Sequence, residues 1–384
     1  MAIALGFAGG LLAQPVASAP VGRKPAQQPI MRVGVIADAQ YADSDALQGR
    51  FYRISLEKLH AAVDTFNAQG VEMVVNLGDL IDERMESYDP VMRELARLQM
   101  PIQHVLGNHE FWQVPYHEQA AVLERLGIST GYCELDIPGW RMLFLDGTEL
   151  AEYAQGAHKD VRAEAELCRA GLKGHANNWI WNGAIGETQM AWLETQLLEA
   201  ESKGLSVALF CHFPILSEGD GMTLWNDADL RVLLDRHPSA KAWFAGHSHA
   251  GSYLRPGDWH HLVLEGMLMT PDSNAFAVLD FYPDKLVVEG FGREPYRELP
   301  MPGTSLPFVE TFPDTLPPPD AMPEPEIPCV HRRVQDALGR WILIDDVGGL
   351  EPPTPPRLRP GCYGSIEVSQ GEFRFIRRVV LPGQ

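Results

Sequence analysis

Five short clusters carry side chains able to hold a divalent cation: Asp38-Ala39-Gln40, Gly78-Asp79-Leu80-Ile81-Asp82, Gly107-Asn108-His109-Glu110, Cys211-His212 and Gly246-His247-Ser248-His249. Their donors are carboxylates, an amide carbonyl and imidazoles, a set that suits Mn, Fe, Zn or Co better than a metal selected by thiolate. Asp38, Asp79, Asn108, His212, His247 and His249 are more protein donors than one open catalytic ion accepts, whereas two ions sharing a bridging carboxylate would use them all. Each cluster also has a plainer reading. Asp-Leu-Ile-Asp after a strand is commonly a helix cap, Asp82 can be that cap or the partner of a ligating histidine, and paired histidines occur in ordinary loops. The ordered set outweighs its members, because every cluster directly follows an apolar run.

Those runs identify the elements that must position the clusters. Arg32 to Ala37, Val71 to Leu77, Ile102 to Leu106, Ser206 to Cys211 and Ala240 to Ala245 read as short buried strands. Helical spacing falls over Ser55 to Ala68, Val91 to Leu98, Glu187 to Ala200 and Ala228 to Leu234. Tyr132 to Leu145 reads as a meander turning at Pro138-Gly139, and His261 to Phe291 is rich in strand-like sequence with a turn at Pro283-Asp284. Alternating strands and helices predict an α/β fold, with the second series forming a sheet that faces the first. Loops after the carboxyl ends of such strands converge on one crevice, which would bring the five clusters together.

The expected organisation is a signal-like or disordered segment at 1–30, a catalytic domain at 31–301, a Pro-rich linker at 302–328 and a small β-rich appendage at 329–384. At the N-terminus, Ile3 to Ala13 is apolar and Ala17-Ser18-Ala19 would suit a signal peptidase, but no positive region precedes them. The chain would be exported if residues 1–19 act as a signal and cytoplasmic otherwise. No segment is long and apolar enough to span a bilayer.

A net charge of −20, from 31 Lys+Arg against 51 Asp+Glu, argues against nucleic-acid polymers or anionic membranes as partners. A small anionic substrate would need local positive charge, which bound cations supply. The five cysteines lack C-x-x-C spacing and read as buried or incidental thiols, with a Cys329 to Cys362 bridge as the alternative. His60, His104, His117, His175, His237, His260, His261 and His331 lie outside any motif and read as structural. Trp181 and Trp225 read as core or rim residues before nucleobase platforms.

In order and content the clusters resemble those of the calcineurin-like metallophosphoesterases, which carry D-x-H, G-D-x-x-D, G-N-H-D/E, a lone His and G-H-x-H. Gln40 stands where the family usually has His. That departure is similar to the manganese-dependent ADP-ribose/CDP-alcohol diphosphatases, as are Gln48 to Arg53, Trp181-Asn182-Gly183, Phe244 to Gly251 and Leu264-Glu265-Gly266 through Pro271-Asp272-Ser273. The similarity covers residues 32 to 293 and none of the appendage.

The resemblance implies a four-layer sandwich, two mixed sheets flanked by helices, and two divalent ions, manganese foremost. It implies Asp38, Gln40, Asp79 and His249 around one ion and Asp79, Asn108, His212 and His247 around the other. His109 would stabilise the transition state or protonate the leaving oxygen. Arg50, Tyr52 and Arg53 would contact the substrate, although a helix with a polar solvent face explains them nearly as well. The reaction implied is hydrolysis of the pyrophosphate of ADP-ribose, CDP-alcohols or related nucleoside-diphosphate compounds. A phosphodiesterase or phosphomonoesterase with another substrate, and a metal-binding scaffold without turnover, are the rivals.

Overall fold

The computed structural model describes residues 28–312, apart from 83, 113, 155–156 and 158–160, together with four strands between residues 332 and 379. The chain opens with β1 (Met31–Ile36), α1 (Ser55–Gln69), β2 (Met73–Asn76), α2 (Tyr88–Leu95), β3 (Ile102–His104) and α3 (Gln119–Arg125). A hairpin of β4 (Cys133–Ile137) and β5 (Trp140–Phe144) leads to α4 (Arg162–Gly171), α5 (Glu187–Lys203), β6 (Ser206–Phe210), α6 (Asp227–Arg236) and β7 (Ala240–Ala245). Strands β8 (Ala250–Leu254), β9 (His260–Glu265), β10 (Ala275–Phe281), β11 (Lys285–Gly292), β12 (Tyr296–Pro300) and β13 (Val309–Thr311) complete the body.

Seven strands form one mixed sheet in the order β13-β12-β11-β10-β1-β2-β3, and six form the other in the order β4-β5-β6-β7-β9-β8. In the first sheet β1, β2 and β3 run parallel while β10 returns antiparallel to β1. In the second, β5, β6, β7 and β9 run parallel.

The two-residue period of the strands sorts side chains into layers. Val33, Val35, Val75, Trp140, Met142, Phe144, Phe210, Phe244, Leu279 and Phe281 fill the space between the sheets. Phe144, Phe210 and Phe244 stack across neighbouring strands with ring centroids 5.2 Å apart, and Trp140 meets Phe281 of the opposite sheet edge-on at 5.3 Å. The alternate residues, among them Val74, Leu143, Leu209 and Trp243, pack outward with Leu59, Val63 and Phe66 of α1, Leu193 and Leu197 of α5, and Leu230 of α6. Gly34 lies so close under α1 that a Cβ there would sit 2.8 Å from the Phe66 ring. Alanine at that position would force the helix away, costing about 1–3 kcal/mol.

The sequence expectation of two facing mixed sheets flanked by helices therefore holds, with differences at the margins. Helix α2 starts one turn earlier than its apolar spacing predicts, because fully buried Tyr88 anchors it and Pro90 sits in the first turn, where a missing N–H costs nothing. Helices α3 and α4 and strands β8, β12 and β13 escape a sequence reading because they are short or mostly exposed; α4 buries only Ala165. The ladder also overruns the boundary expected at residue 301. Strand β13 pairs with β12 and is tied to it by an Arg297–Glu310 ion pair at 2.7 Å, so the catalytic body takes in part of the segment read as linker.

Beyond it, β14 (Arg332–Gln335) pairs with β15 (Trp341–Ile344), and β16 (Gly364–Gln370) with β17 (Phe373–Val379), each antiparallel. The signal-like residues of the N-terminus and the Cys329 to Cys362 alternative lie outside the described residues. Among the described cysteines, Cys133, Cys168 and Cys211 are free. No helix among the described residues is long and apolar enough to cross a membrane.

Candidate metal centre

The loops that follow β1, β2, β3, β6 and β7 meet at one end of the paired sheets. Carboxylate and imidazole atoms of Asp79, His212 and His247 form one group lying within 4.8 Å of one another, and those of Asp38, Asp79 and His249 form a second. Asp79 belongs to both. Asp38, Gln40, Asp79, Asn108, His212 and His247 are all buried, and only His249 is partly open to solvent.

The backbone is bent to make this possible. Asp38, Gln40, Asp79 and His247 all adopt left-handed conformations, with φ of 53°, 39°, 54° and 68°, each costing on the order of 1–3 kcal/mol for a side chain with a Cβ. Strain of that kind persists where surrounding contacts over-determine it, and ligand clusters are where it collects. Two motif glycines permit the close approaches that result. A Cβ on Gly107 would lie 2.3 Å from Asp79 Oδ1, and one on Gly246 would lie 2.6 Å from Asp38 Oδ2.

Hydrogen bonds then aim each donor. His212 Nδ1 lies 2.8 Å from the Leu77 carbonyl oxygen, which can only accept, so the proton sits on Nδ1 and the Nε2 lone pair faces inward. Nε2 stands 3.2 Å from Asp79 Oδ2, 3.3 Å from Asn108 Oδ1 and 3.2 Å from His247 Nδ1. The ring of His247 is set the opposite way round. Its Nε2 donates to Asn182 Oδ1 at 3.0 Å, and Asn182 Nδ2 is committed to the carbonyls of Asn177 and Gly221. His247 therefore presents Nδ1. Around the other group, His249 Nε2 lies 3.4 Å from Asp38 Oδ1, and Asp38 accepts the His247 N–H. Gln40 Nε2 donates to Asp79 Oδ2 at 3.0 Å and faces His249 Nε2 at 3.1 Å, which leaves Gln40 Oε1 buried with no partner.

A buried carbonyl oxygen without a donor is costly; turning the Gln40 amide over would bring that oxygen to the place its Nε2 now holds beside Asp79 and His249, where a cation would satisfy it. Hard oxygen donors with one imidazole on this side, and two imidazoles with an amide oxygen on the other, fit a pair of divalent first-row ions.

The charges reinforce one another. Burial alone would push the Asp79 carboxyl up, but His212, His109 and His247 hold it far below the usual range. Burial pulls His212 down, yet Asp79 outweighs it and raises the imidazole to about 9. His247, buried and beside His212, is pushed well below the ordinary histidine value. Cations would take over the role that protons play here.

His109 adjoins the ligands. Its N–H donates to Asp79 Oδ1 at 2.7 Å, and its Nδ1 pairs with Asp82 Oδ1 at 3.0 Å. The Asp82 side chain thus pairs with His109, a histidine outside the expected ligand set. Burial lowers His109, but Asp79 and Asp82 reverse the shift upward, with Arg50 opposing them.

Arg50 thus lies near enough to His109 for its charge to be felt. The other two residues expected at the substrate have partners of their own. Tyr52 is buried with Ala42 and Leu268, and Arg53 reaches back to Asp43 and Asp45 at 2.5 and 2.6 Å. Trp225 is buried against Leu150, Ala165 and Ala184, whereas Trp181 stacks on half-exposed Trp179 at 4.7 Å. Of the histidines read as structural, His331 lies outside the described residues, while His104 bonds Asn76, His237 bonds Glu201, and His261 accepts the Ile215 N–H.

Sequence reasoning assigned no role to Asn182 or Glu110. The Glu110 carboxylate accepts the N–H groups of Asp79, Leu80 and Gly107 at 2.8, 2.6 and 2.8 Å, fastening the loop after β2 to the loop after β3. Asn182 stands in a quoted stretch of similarity, but its contact with His247 bridges 65 residues and leaves no local signature.

A family model for calcineurin-like phosphoesterases matches residues 31–251. A manganese-dependent ADP-ribose/CDP-alcohol diphosphatase of Arabidopsis thaliana is 30% identical over 301 residues, covering 70% of this chain and 96% of the relative. The human protein of the same name is 29% identical over 316 residues, covering 69% and 91%. Among solved structures, a dimetal phosphatase from Danio rerio superposes with a TM-score of 0.66 at 27% identity, covering 71% of this chain and all of that one.

Proposed function

Because the chain belongs to the calcineurin-like phosphoesterase family, we propose that it is a manganese-dependent hydrolase of nucleoside-diphosphate-linked small molecules. ADP-ribose and CDP-alcohols are the model substrates, giving a nucleoside monophosphate and a phosphorylated sugar or alcohol. The broader statement needs no proposal: the chain is a metal-dependent phosphoesterase. The finer one draws on relatives whose names carry that activity. The observation that carries it furthest is the pair of ligand groups sharing Asp79, with the orphaned Gln40 oxygen beside them.

Asp38, Gln40, Asp79 and His249 would hold one ion, and Asp79, Asn108, His212 and His247 the other. When bound, such ions neutralise phosphate charge and lower the pKa of solvent water toward about 7. The chain's own residues supply the rest. With Nδ1 engaged by Asp82, His109 has Nε2 left to stabilise charge on the departing oxygen or to give it a proton. Arg50 offers a guanidinium for the second phosphate, in the bidentate geometry that phosphate favours.

The test is a substrate panel in Mn²⁺: ADP-ribose, CDP-choline, a cyclic nucleotide and a simple phosphomonoester. Preference for the two diphosphates is expected. Preference for the monoester would refute the substrate reading and leave the phosphoesterase assignment standing.

A further inference from the structure

A buried lysine lies behind the metal centre, outside every motif named above. Lys58, on α1, is only 6% exposed. Among the described residues no carboxylate comes within ion-pair distance of it. Its Nζ instead donates to three main-chain carbonyls, those of Met267, Met269 and Thr270, at 2.9, 2.7 and 2.6 Å. Burying an ammonium without a counter-charge costs several kcal/mol. Burial and the nearby Arg293 cation pull this amine down to about 7, with Asp272 opposing. Three short charge-assisted bonds are the compensation, and what they accomplish is to gather one stretch of chain.

That stretch, residues 266–270, is a strap across the ligand loops. The Gly266 N–H donates to the His249 carbonyl at 3.0 Å, Met267 N–H to the Ala37 carbonyl at 3.0 Å and Leu268 N–H to the Asp38 carbonyl at 3.1 Å. The Leu268 carbonyl accepts the Phe51 N–H at 2.9 Å, and Met269 bridges to Arg50. Arg293 shares the rear of the strap, bonding the carbonyls of Gly266, Met269 and Ser273 at 2.7, 2.8 and 2.7 Å. Thr270 is held in a left-handed conformation with φ 63°. The strap thus has its amide side on the Asp38 and His249 loops, one edge on Arg50 and Phe51, and its remaining carbonyls on two buried cations.

We propose that Lys58 is a positioning residue for substrate binding: by gathering three carbonyls of the 266–270 strap it fixes the backbone of Arg50 beside the metal centre. The role of Arg50 rests on the function proposed above. Lys58 itself touches neither substrate nor cation. Its removal leaves the Met267 and Thr270 carbonyls short of a donor and Met269 held by Arg293 alone, and lets the strap and Arg50 drift, which weakens capture of the diphosphate more than it slows the chemical step.

The experiment is a double-mutant cycle on the manganese-loaded full chain, using whichever panel substrate the unmodified protein hydrolyses fastest. Lys58→Met is expected to raise KM about tenfold, with kcat changed less than about twofold. Once Arg50→Ala is present, adding Lys58→Met should change KM no further, because both act through one contact. A KM increase as large in the Arg50→Ala background as alone would overturn the proposal, and so would a lowered melting temperature with KM unchanged. If Lys58→Met does not fold, Lys58→Arg replaces it, keeping the charge on a longer planar group whose spread donors do not fit the point where one Nζ meets three carbonyls. A raised KM with kcat kept then supports the assignment, and an unchanged KM defeats it. Every comparison is made against the unmodified chain on its own best substrate. A wild-type preference for another ester therefore refutes the diphosphatase reading without deciding this one.

Discussion

The half of the metal centre around Asn108, His212 and His247 is deeper and more cross-bonded than the half around Asp38, Gln40 and His249. In the deep half, each imidazole has its outward nitrogen fixed, by the Leu77 carbonyl or by Asn182, and His212 stands within hydrogen-bond distance of both Asn108 and His247. In the shallow half, His249 is partly solvent-exposed and Gln40 offers a neutral amide whose oxygen has no protein partner. Fixed imidazoles make a preorganised, high-affinity site, while an amide and carboxylates make a harder, weaker one that suits manganese. The difference teaches that a dinuclear centre need not bind its two ions equally, and that Asp79 is the side chain common to both ligand groups found among the described residues.

That coupling can be broken outright. Asp79→Asn is expected to empty both halves and reduce turnover to background, with bound manganese measured by elemental analysis; one full equivalent retained per chain would mean the halves are independent. A smaller but still large loss separates chemistry from metal holding. His109→Ala should keep both ions and lose about 10²- to 10⁴-fold in kcat, and finding it empty of metal would merge His109 with the ligands.

Gln40→His sharpens the contrast by giving the shallow half a second imidazole. Its weaker manganese site should tighten about tenfold in a titration, while the tighter site stays put; no change would mean that Gln40 does not reach the ion. The smallest effect is on stability under chelation. In the folded chain Asp79, against the pull of burial, raises His212 to about 9, above the roughly 6.5 of an unfolded histidine. Stabilisation from that proton is complete below about pH 6.5 and is lost as pH climbs through 9. The denaturation midpoint of chelated protein should therefore fall across that window, and saturating manganese should flatten the fall. A midpoint that rose instead would contradict the pairing of His212 with Asp79.

How much of this was readable from the sequence follows from where the partners lie. Candidate ligands at strand ends announce themselves, because the strand is a short apolar run and the candidate comes directly after it; Asp38, Asn108 and His212 all obey that rule. Gln40 was visible as a departure from a familiar pattern. The aiming of those ligands was not visible, since it depends on main-chain groups such as the Leu77 carbonyl and on residues far along the chain such as Asn182. Tyr52 shows the converse. Beside two arginines it looks like a binding residue, yet the turn that leads into α1 rotates it inward against Ala42 and Leu268.

The short strand β13 has a practical corollary. Cutting the chain at the proline-rich boundary suggested by composition, residue 301, would strip β12 of its neighbour and leave Arg297 without Glu310. A bare sheet edge is an invitation to pair with another molecule and a very short edge strand blunts it, so such a truncated protein should self-associate more than one ending after Phe312, whose edge is the three-residue β13.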